Sequence, residues 1–416
     1  MKYTKNHNTF YQYVSYALLV ACYFFTSFYR ISASVVMPAV SLEIGMSGAL
    51  TGFISSLYFY AYAAVQPIGG TLNDRFGPGK IVAAGISISA VGALCFAFGN
   101  QPVVFAIGRF LMGLGLSPML SGSLVFVSNS SMKARYVFFT GFVLTFGNVG
   151  SIISVYPLGF AMDRWGRQSV FIGLACINII LAVSLLFSIR RSHIVFGKHP
   201  FPPLWAGIRK SVGDVFRNPG LRRMIIPWCF LMGSIMSLQG LWAVSWFQAA
   251  YDISFLKAQG YASIISIGVM LGHFFGGYIG AANIYRRFMI IVSSGMYAGI
   301  WILFWGGMTL SFPIYVTAGF GFLVGIFIGI NFDHIIAGVN DLSAPGESGS
   351  TFGIMNFFPF IGAIVFQWLT GIIISWFPTE TGYSALGFQI TFLFVLITVV
   401  LASILLIWIP GFSSSK

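Results

Sequence analysis

The sequence predicts an all-α membrane protein in which twelve transmembrane helices form two pseudo-symmetric six-helix bundles. Composition is the first reason: 57% of the 416 residues are hydrophobic and only 7% are charged, which is too little polar surface for a soluble globular protein. The second reason is that the chain contains twelve apolar windows. A helix needs about 20 apolar residues to cross a bilayer core. The third reason is the uneven distribution of basic residues between those windows.

The twelve apolar windows follow one another along the whole chain. Lys2 and Lys5 precede the first window, which is too long for the apolar core of a signal peptide and is therefore interpreted as the first span. The predicted spans cover approximately residues 14–40, 50–72, 81–98, 103–127, 137–162, 170–189, 224–250, 258–282, 288–308, 312–339, 352–376 and 386–409.

Basic residues are concentrated on one side of these predicted spans. If the amino terminus is cytoplasmic, 17 of the 22 Lys and Arg residues lie on the cytoplasmic side, three lie outside, and Arg30 and Arg109 lie within spans. Cytoplasmic connections carry an excess of Lys and Arg, so this bias predicts that both termini are cytoplasmic. The net charge of +13 therefore reflects membrane orientation, and no nucleic-acid partner is predicted.

The longest polar break in the chain separates six predicted spans from six. Within it, apolar residues from Leu204 to Phe216 recur at helical spacing opposite basic residues, and Asn218-Pro219 ends the run. This pattern predicts an interfacial helix on the inner leaflet, with a disordered basic linker as the alternative. The predicted parts of the chain are an amino-terminal six-helix bundle (1–190), a cytoplasmic basic linker (191–222) and a carboxyl-terminal six-helix bundle (223–416).

Two short motifs resemble the signatures of a known transporter family. Residues 69–80, after span two, are predicted to form a tight, charged loop between helices, and span four opens with an R-x-x-x-G-x-G pattern at Arg109–Gly115. Both resemble motifs of the major facilitator superfamily of membrane transporters. The glycine pair that begins the first motif has a counterpart 207 residues later at Gly276-Gly277 (276 − 69), as expected of two parallel repeats.

This resemblance implies a function as well as a fold. It implies a secondary transporter that works by alternating access as a monomer surrounded by membrane lipid, in the bacterial inner membrane, with a small-molecule substrate and no cofactor or metal. It also implies a cytoplasmic gate containing Gly70, Asp74 and Arg75, with Arg135 near Asp74. No motif for a nucleophile or for phosphate binding predicts an enzyme.

The first two spans resemble those of the organic anion:cation symporters and of related nutrient-uptake carriers of intracellular bacterial pathogens. The residues that carry this resemblance are Tyr29-Arg30, Val36-Met37-Pro38, Tyr60-Ala61-Tyr62 and residues 66–70. The resemblance implies import of an organic anion or an amino-acid-like nutrient. Efflux of a drug, or of a metabolite such as a siderophore, is the alternative, and a sensor that does not transport is a more remote one.

Polar residues at membrane depth are the candidates for substrate binding. Arg30 lies in a polar stripe of span one, and its guanidinium suits bidentate capture of a carboxylate or phosphate; an arginine bonded to backbone carbonyls is the structural alternative. The resemblance also places Arg109 at the central cavity, where a structural or coupling role is equally open. Residues on single faces of spans two, seven and eleven complete the predicted pocket: Tyr58, Tyr62, Gln239, Trp242 and Asn356.

Asp333 and His334 are the candidates for proton coupling, because they form an adjacent titratable pair in the inner half of span ten. Anion symporters carry acidic residues at two positions that here hold Tyr29 and Leu116, so the coupling role shifts to this pair. Sodium is the alternative coupling ion. Consecutive side chains on a helix point about 100° apart, so at most one should face the cavity. His273 of span eight is interpreted as a hydrogen-bonding residue between helices.

Overall fold

The computed structural model describes residues 2–192, 194, 204–280, 286–343, 348–379 and 382–409. Residues 195–203 of the predicted linker lie outside the described residues. The described chain is almost entirely helical, as the composition predicts, and contains one small antiparallel hairpin in which Pro378 lies opposite Tyr383.

The α-helices, in chain order, are α1 (Lys2–Ile31), α2 (Ala33–Ile44), α3 (Gly48–Phe76), α4 (Pro78–Phe98), α5 (Pro102–Leu116), α6 (Met119–Ser128), α7 (Tyr136–Ile153), α8 (Tyr156–Ser192), α9 (Leu204–Arg217), α10 (Pro219–Ser237), α11 (Ala243–Tyr251), α12 (Phe255–Gly280), α13 (Arg286–Thr309), α14 (Ile314–Leu342), α15 (Ser348–Met355), α16 (Phe357–Ile374) and α17 (Ala385–Ile407). A 3₁₀-helix (Ser131–Arg135) precedes α7, a π-helical turn (Leu238–Trp242) joins α10 to α11, and the hairpin strands are β1 (Pro378–Thr379) and β2 (Gly382–Tyr383).

The helices account for all twelve predicted spans. Within the described ranges, eleven helical segments are long and apolar enough to cross a membrane, and the segment at span five, Phe139–Ile153, is a shorter apolar helix. Span five continues beyond that segment into the first part of α8, which is broken at Gly166, where φ is +77°. A left-handed backbone is accessible to glycine without a Cβ clash, so Gly166 marks the turn between spans five and six.

Several predicted spans are irregular rather than continuous, among them spans one, four and seven. Span one is divided between Ile31 and Ala33, and the Ser34 hydroxyl donates to the Ile31 carbonyl (2.9 Å) at the break. Span four is divided before Pro118, which has no backbone N–H to continue the helix. Span seven contains the π-helical turn, a feature that often accompanies functional sites.

The predicted charged loop at residues 69–80 is mostly helix. Helix α3 continues to Phe76 and α4 begins at Pro78, so the connection is Gly77 alone, with φ at +81°. The buried Asn73 explains the extension: its Nδ2 donates to the Gly69 carbonyl (2.8 Å), the Pro118 carbonyl (3.1 Å) and Ser121 Oγ (2.9 Å). These bonds tie the end of α3 to the start of α6.

The linker contains the predicted helix. Helix α9 spans Leu204–Arg217, so the disordered alternative is wrong for this segment. Asn218 then caps α10, because its Oδ1 accepts from the backbone N–H of Gly220 (2.9 Å) and Leu221 (3.3 Å). The location of α9 on the inner leaflet stays a prediction.

The chain divides into two compact units. One contains the residues up to Arg30 together with Leu57–Leu204, and the other contains Ile31–Ser56 together with the chain from Trp205 onward. The segment Ile31–Ser56 is therefore packed within the second unit although it connects spans one and two. The bundle boundaries predicted at residues 190 and 223 stay a prediction.

Candidate substrate and coupling sites

Arg30 lies at the end of α1, at the break in span one. It is partly exposed, and its Nη2 donates to Ser27 Oγ (3.2 Å), whereas its Nε is buried without a hydrogen-bond partner. In the described part of the chain no carboxylate lies within ion-pair distance of Arg30. The guanidinium is thus a cation at membrane depth with unused donor capacity, which is the chemistry required to bind an anion.

Three tyrosines surround the Arg30 charge within the first unit. Arg30 interacts electrostatically with Tyr23, Tyr58 and Tyr62, which are all buried. Tyr58 stacks on Tyr62 with ring centroids 5.7 Å apart and an interplanar angle of 17°, and its hydroxyl donates to the Thr26 carbonyl (3.0 Å). The predicted residues Tyr58 and Tyr62 are therefore brought together with Arg30, as an aromatic wall.

Arg109 differs from Arg30 in its burial and in its hydrogen-bond partner. It is 1% exposed, and its Nη1 donates to the Tyr29 carbonyl (2.7 Å). Its guanidinium also lies over the Tyr58 ring, 4.9 Å from the centroid. Arg109 thus ties α1, α3 and α5 together inside the first unit, which favours the structural interpretation of this residue.

The predicted residues of span seven lie at the π-helical turn. Gln239 Nε2 donates to Ser266 Oγ (2.8 Å), and Trp242 Nε1 donates to Thr370 Oγ1 (3.0 Å). Beside them, Gln367 Nε2 donates to the Met236 carbonyl (3.0 Å), while its Oε1 is buried without a partner. The sequence carries no signal for the π-turn, because helical periodicity reports a face and not a local change of pitch.

Asn356 lies at a break in span eleven. It separates α15 from α16, is partly exposed, and its backbone N–H donates to the Phe352 carbonyl (2.7 Å). The structure therefore places this residue at an irregular point of the helix, and its role in substrate binding stays a prediction.

The structure pairs Asp333 with His273 and not with His334. Asp333 Oδ1 lies 2.8 Å from His273 Nδ1, and the two side chains are 24% and 29% exposed. His334 is 1% exposed, and both of its ring nitrogens are buried without a hydrogen-bond partner. Glycine makes the pairing possible: a Cβ at Gly276 would lie 2.8 Å from Asp333 Oδ2, so only a glycine there lets α12 approach α14 this closely.

A second pair of opposite charges involves the same helix α14, nearer its end. Arg286 Nε lies 2.9 Å from Asp341 Oδ2 at adjoining ends of α13 and α14. The sequence could not predict the His273–Asp333 pair, because the two residues are 60 positions apart.

The predicted gate residues lie at one end of the first unit. Gly70, Asp74 and Arg75 belong to the last two turns of α3, where Asp74 and Arg75 are exposed. Arg135, also exposed, ends the 3₁₀-helix before α7. Their joint action as a gate stays a prediction.

Metal chemistry has no visible site among the described residues. No group of three or more His, Cys, Asp or Glu side chains is arranged there to hold a metal ion. The four cysteines, Cys22, Cys95, Cys176 and Cys229, are free thiols.

Comparison with protein families decides the class of the molecule. The family model of the Major Facilitator Superfamily matches residues 19–367. The chain belongs to the Major Facilitator Superfamily. It is therefore a multi-pass membrane transporter and not an enzyme, as the two motifs predict.

Curated relatives of the chain are named for different solutes. The chain is 24% identical over 379 residues to the gentisate transporter of Corynebacterium glutamicum, covering 86% of this chain and 81% of the relative. It is 25% identical over 157 residues to the probable sulfoacetate transporter SauU of Cupriavidus necator, covering 38% of this chain and only 36% of that relative. It is 21% identical over 362 residues to the quinolone resistance protein NorA of Staphylococcus aureus, covering 85% and 88%.

Solved structures of superfamily transporters share the fold. A D-xylose-proton symporter gives a TM-score of 0.72 at 13% identity, covering 97% of this chain and 98% of that chain. The nucleoside transporter NupG gives 0.74 at 15% identity, covering 95% and 100%. At this identity the likeness establishes the fold alone.

Proposed function

We propose that this superfamily member imports a small organic anion by alternating access and couples that import to protons. The observation that carries the proposal is Arg30, a partly exposed guanidinium at membrane depth that bonds only Ser27 and has no carboxylate partner among the described residues. An uncompensated charge inside a span costs about 2.5–3.5 kcal/mol on insertion scales, so it is retained where an anionic ligand compensates it.

The surroundings of Arg30 favour an anion with an apolar or aromatic body. Tyr58 and Tyr62 are stacked within range of the charge, so the surroundings of the guanidinium are aromatic. Gentisate is an aromatic carboxylate and sulfoacetate a short dianion, so the names of two relatives agree with this chemistry. An amino-acid-like nutrient would present the same carboxylate to Arg30.

Arg109 has a supporting role in this proposal. Its guanidinium contacts the Tyr58 ring and donates a hydrogen bond to the Tyr29 carbonyl, so it positions the aromatic wall beside Arg30. Gln239, Trp242 and Asn356 stay the proposed uncharged contacts of the substrate, and a π-turn already loosens the helix that carries the first two.

The coupling step uses Asp333, with His273 as the partner that accepts or returns its proton. A carboxylate and an imidazole 2.8 Å apart can share one proton, and partial exposure gives water access to the pair. His334 is buried without partners, so it is the weaker candidate of the predicted pair. Sodium remains the alternative coupling ion.

The cellular setting follows from the charge bias. We place the protein as a monomer in the bacterial inner membrane. Both termini are cytoplasmic in this arrangement, because 17 of 22 basic residues then lie inside. Gly70, Asp74, Arg75 and Arg135 form the cytoplasmic gate in this arrangement.

Efflux is the second candidate function, since the NorA relatives match 85% of this chain. Proteoliposomes with an acidic exterior test both. Accumulation of radiolabelled gentisate or sulfoacetate above equilibrium, lost on adding a protonophore, supports import by proton symport. Proton-driven expulsion of a quinolone with no anion uptake would contradict import and support efflux.

A further inference from the structure

A cavity of about 400 Å³ opens within the second unit, and Asp333 is not among the residues that line it. Its volume falls in the range of about 300–1,000 Å³ that small-molecule sites occupy. Its walls come from the connections between spans one and two, seven and eight, and eleven and twelve, and from the adjoining ends of spans one, two, seven and twelve. Each of these connections joins an odd-numbered span to an even-numbered one, so all three lie on the membrane side opposite the termini.

One wall of this outer cavity belongs to the segment Ile31–Ser56. Ser41 and Thr51 line it, and they are bonded to each other, because Thr51 Oγ1 donates to Ser41 Oγ (2.8 Å). Tyr383 of β2 lines the same cavity. Two chain segments that are distant in sequence therefore meet at the cavity.

The charge of the outer cavity is negative. Asp252 is the single charged residue among the described residues that line it. Asp252 also ends α11 in a left-handed conformation (φ 49°, ψ 47°), so the negative end of that helix dipole points to the same place. In the described part of the chain Asp252 forms no salt bridge. Its carboxylate is available to a cation.

Aromatic rings complete the walls. The Trp242 ring lies edge-on to Tyr383 (centroids 5.9 Å apart) and to Phe388 (6.3 Å). Burial raises the pKa of the Tyr383 phenol, so this group stays neutral and contributes a ring and a dipole but no second charge. A carboxylate beside a tyrosine ring and apolar side chains provides surroundings that favour an ammonium ion.

We propose that the outer cavity binds a small organic cation, an ammonium group attached to an apolar or aromatic body. Asp252 binds the ammonium, and Leu42, Phe255 and Tyr383, which line the cavity and are at least partly exposed, contact the body. The absence of Lys, Arg and His among the described lining residues excludes the anions proposed for Arg30 from this cavity on electrostatic grounds.

A cation bound in the cavity also affects the movement of the helices around it. Helices α3 and α16 are packed backbone to backbone beside it, since a Cβ at Gly52 would overlap the Gln367 carbonyl and one at Gly371 would overlap the Gly48 carbonyl. In the proposed alternating access, the segment Ile31–Ser56 separates from spans seven and eleven. A cation that contacts both walls stabilises the closed arrangement and inhibits transport. The inhibition rests on the proposed function, whereas the binding does not.

Calorimetric titration of the purified full-length protein with benzyltrimethylammonium tests the binding. We expect saturable binding that Asp252→Asn weakens about tenfold or more, because one charge-assisted contact is lost. Asp163→Asn, an exposed carboxylate in the connection between spans five and six, is the matched control and should bind as the parent does. Benzyl alcohol and benzoate should not compete. Equal affinity of the Asp252→Asn protein, or stronger binding of benzoate, would overturn the proposal.

Hydrogen exchange tests the closed arrangement without any transport assay. The cation should slow amide exchange in residues 33–56 and 382–388 of the parent and of Asp163→Asn, and not of Asp252→Asn. In proteoliposomes it should inhibit gentisate counterflow without entering faster than into protein-free vesicles; its own transport would refute the inhibitory role. A protein that binds the cation but carries no gentisate would contradict the proposed function and leave the cavity assignment supported.

Discussion

The two charged regions at membrane depth are built in opposite ways. In the first unit, the Arg30 guanidinium has one serine as its hydrogen-bond partner among the residues that the structure describes. In the second unit, the Asp333 carboxylate is paired with His273 at 2.8 Å. An unpaired charge is suited to a ligand that arrives with the opposite charge, whereas a carboxylate–imidazole pair is suited to a proton that moves between two partners. The difference supports the proposal that one unit binds the substrate and the other carries the coupling proton.

The same contrast separates the two arginines. Both lie in predicted spans, yet Arg109 is buried against the Tyr29 carbonyl and the Tyr58 ring while Arg30 is partly exposed. Identical side chains at membrane depth can therefore serve a ligand or the fold, and their hydrogen bonds distinguish the two roles.

The largest effect should come from Asp333→Asn. One proton moving down a gradient of one pH unit contributes about 1.4 kcal/mol, which supports about tenfold accumulation of a monoanion carried with it. We expect Asp333→Asn to reduce this ratio to one in proteoliposomes, because the amide cannot release a proton. Counterflow exchange of gentisate should persist, since exchange requires no net proton movement.

The two histidines make this test specific. His273→Gln should impair accumulation, because it removes the partner of Asp333, whereas His334→Gln should leave accumulation intact because His334 bonds no other group. If His334→Gln impairs accumulation and His273→Gln does not, the coupling role belongs to His334. Accumulation that depends on sodium and not on the proton gradient would mean that neither histidine takes part in coupling.

Substitution of Arg30 should have the next largest effect. Hydrogen bonds to charged groups contribute about 1.5–3 kcal/mol, so Arg30→Gln should weaken gentisate binding about tenfold to a hundredfold. Arg30→Lys should be intermediate, because it keeps the charge and loses the planar fork. Binding is measured by calorimetry on the purified protein.

Arg109→Lys is the matched control for that measurement. It should lower the thermal unfolding temperature, because a buried guanidinium loses its contacts with Tyr29 and Tyr58. It should weaken the Kd of the folded protein less than Arg30→Gln does, because it shifts the aromatic wall and leaves the Arg30 charge in place. If Arg109→Lys weakens binding more than Arg30→Gln, the assignment of the two arginines is inverted.

Most of the fold could be predicted from the sequence, because apolar length and the positions of Lys and Arg determine spans and their order. The breaks within individual spans could not be predicted. The division of span one at Ile31 and the π-turn at Leu238–Trp242 arise from tertiary packing, and the residues there have ordinary helical patterns. The extension of α3 to Phe76 depends on bonds from Asn73 to residues 45 and 48 positions away.

The candidate sites divide in the same way. Arg30 and the Tyr58–Tyr62 wall follow from helical spacing and from the rarity of charge in spans. The partner of Asp333 does not, because adjacency in sequence suggested His334 and packing between α12 and α14 selected His273. Local patterns identify which residues are unusual, and only the packing of helices identifies what they contact.

A glycine substitution tests whether that packing sets the coupling pair. An alanine Cβ at Gly276 would lie 2.8 Å from Asp333 Oδ2 and 3.0 Å from Ile330 Cα, so Gly276→Ala should push α12 from α14 and lengthen the contact with His273. We expect proton-driven accumulation to fall several-fold, with a loss of stability of about 1–3 kcal/mol. Gly277→Ala has no atom within 4 Å of its added Cβ and should behave as the parent. If Gly276→Ala and Gly277→Ala accumulate gentisate equally, the contact between Asp333 and His273 plays no part in coupling.

The smallest effect should come from the gate, because its charged residues are exposed to solvent. Asp74 is exposed at the end of α3, so its carboxylate acts through screened interactions that favour one access state. Asp74→Asn should therefore change the equilibrium between states and lower the turnover rate of gentisate transport about threefold to tenfold, which corresponds to a coupling of about 1 kcal/mol. The Kd should stay within experimental error of the parent, because the residues around Arg30 are untouched. Asp163→Asn, an exposed carboxylate on the opposite membrane side, should change neither quantity. Unchanged turnover in Asp74→Asn would remove this carboxylate from the gate, and a weakened Kd would show that it communicates with the Arg30 site.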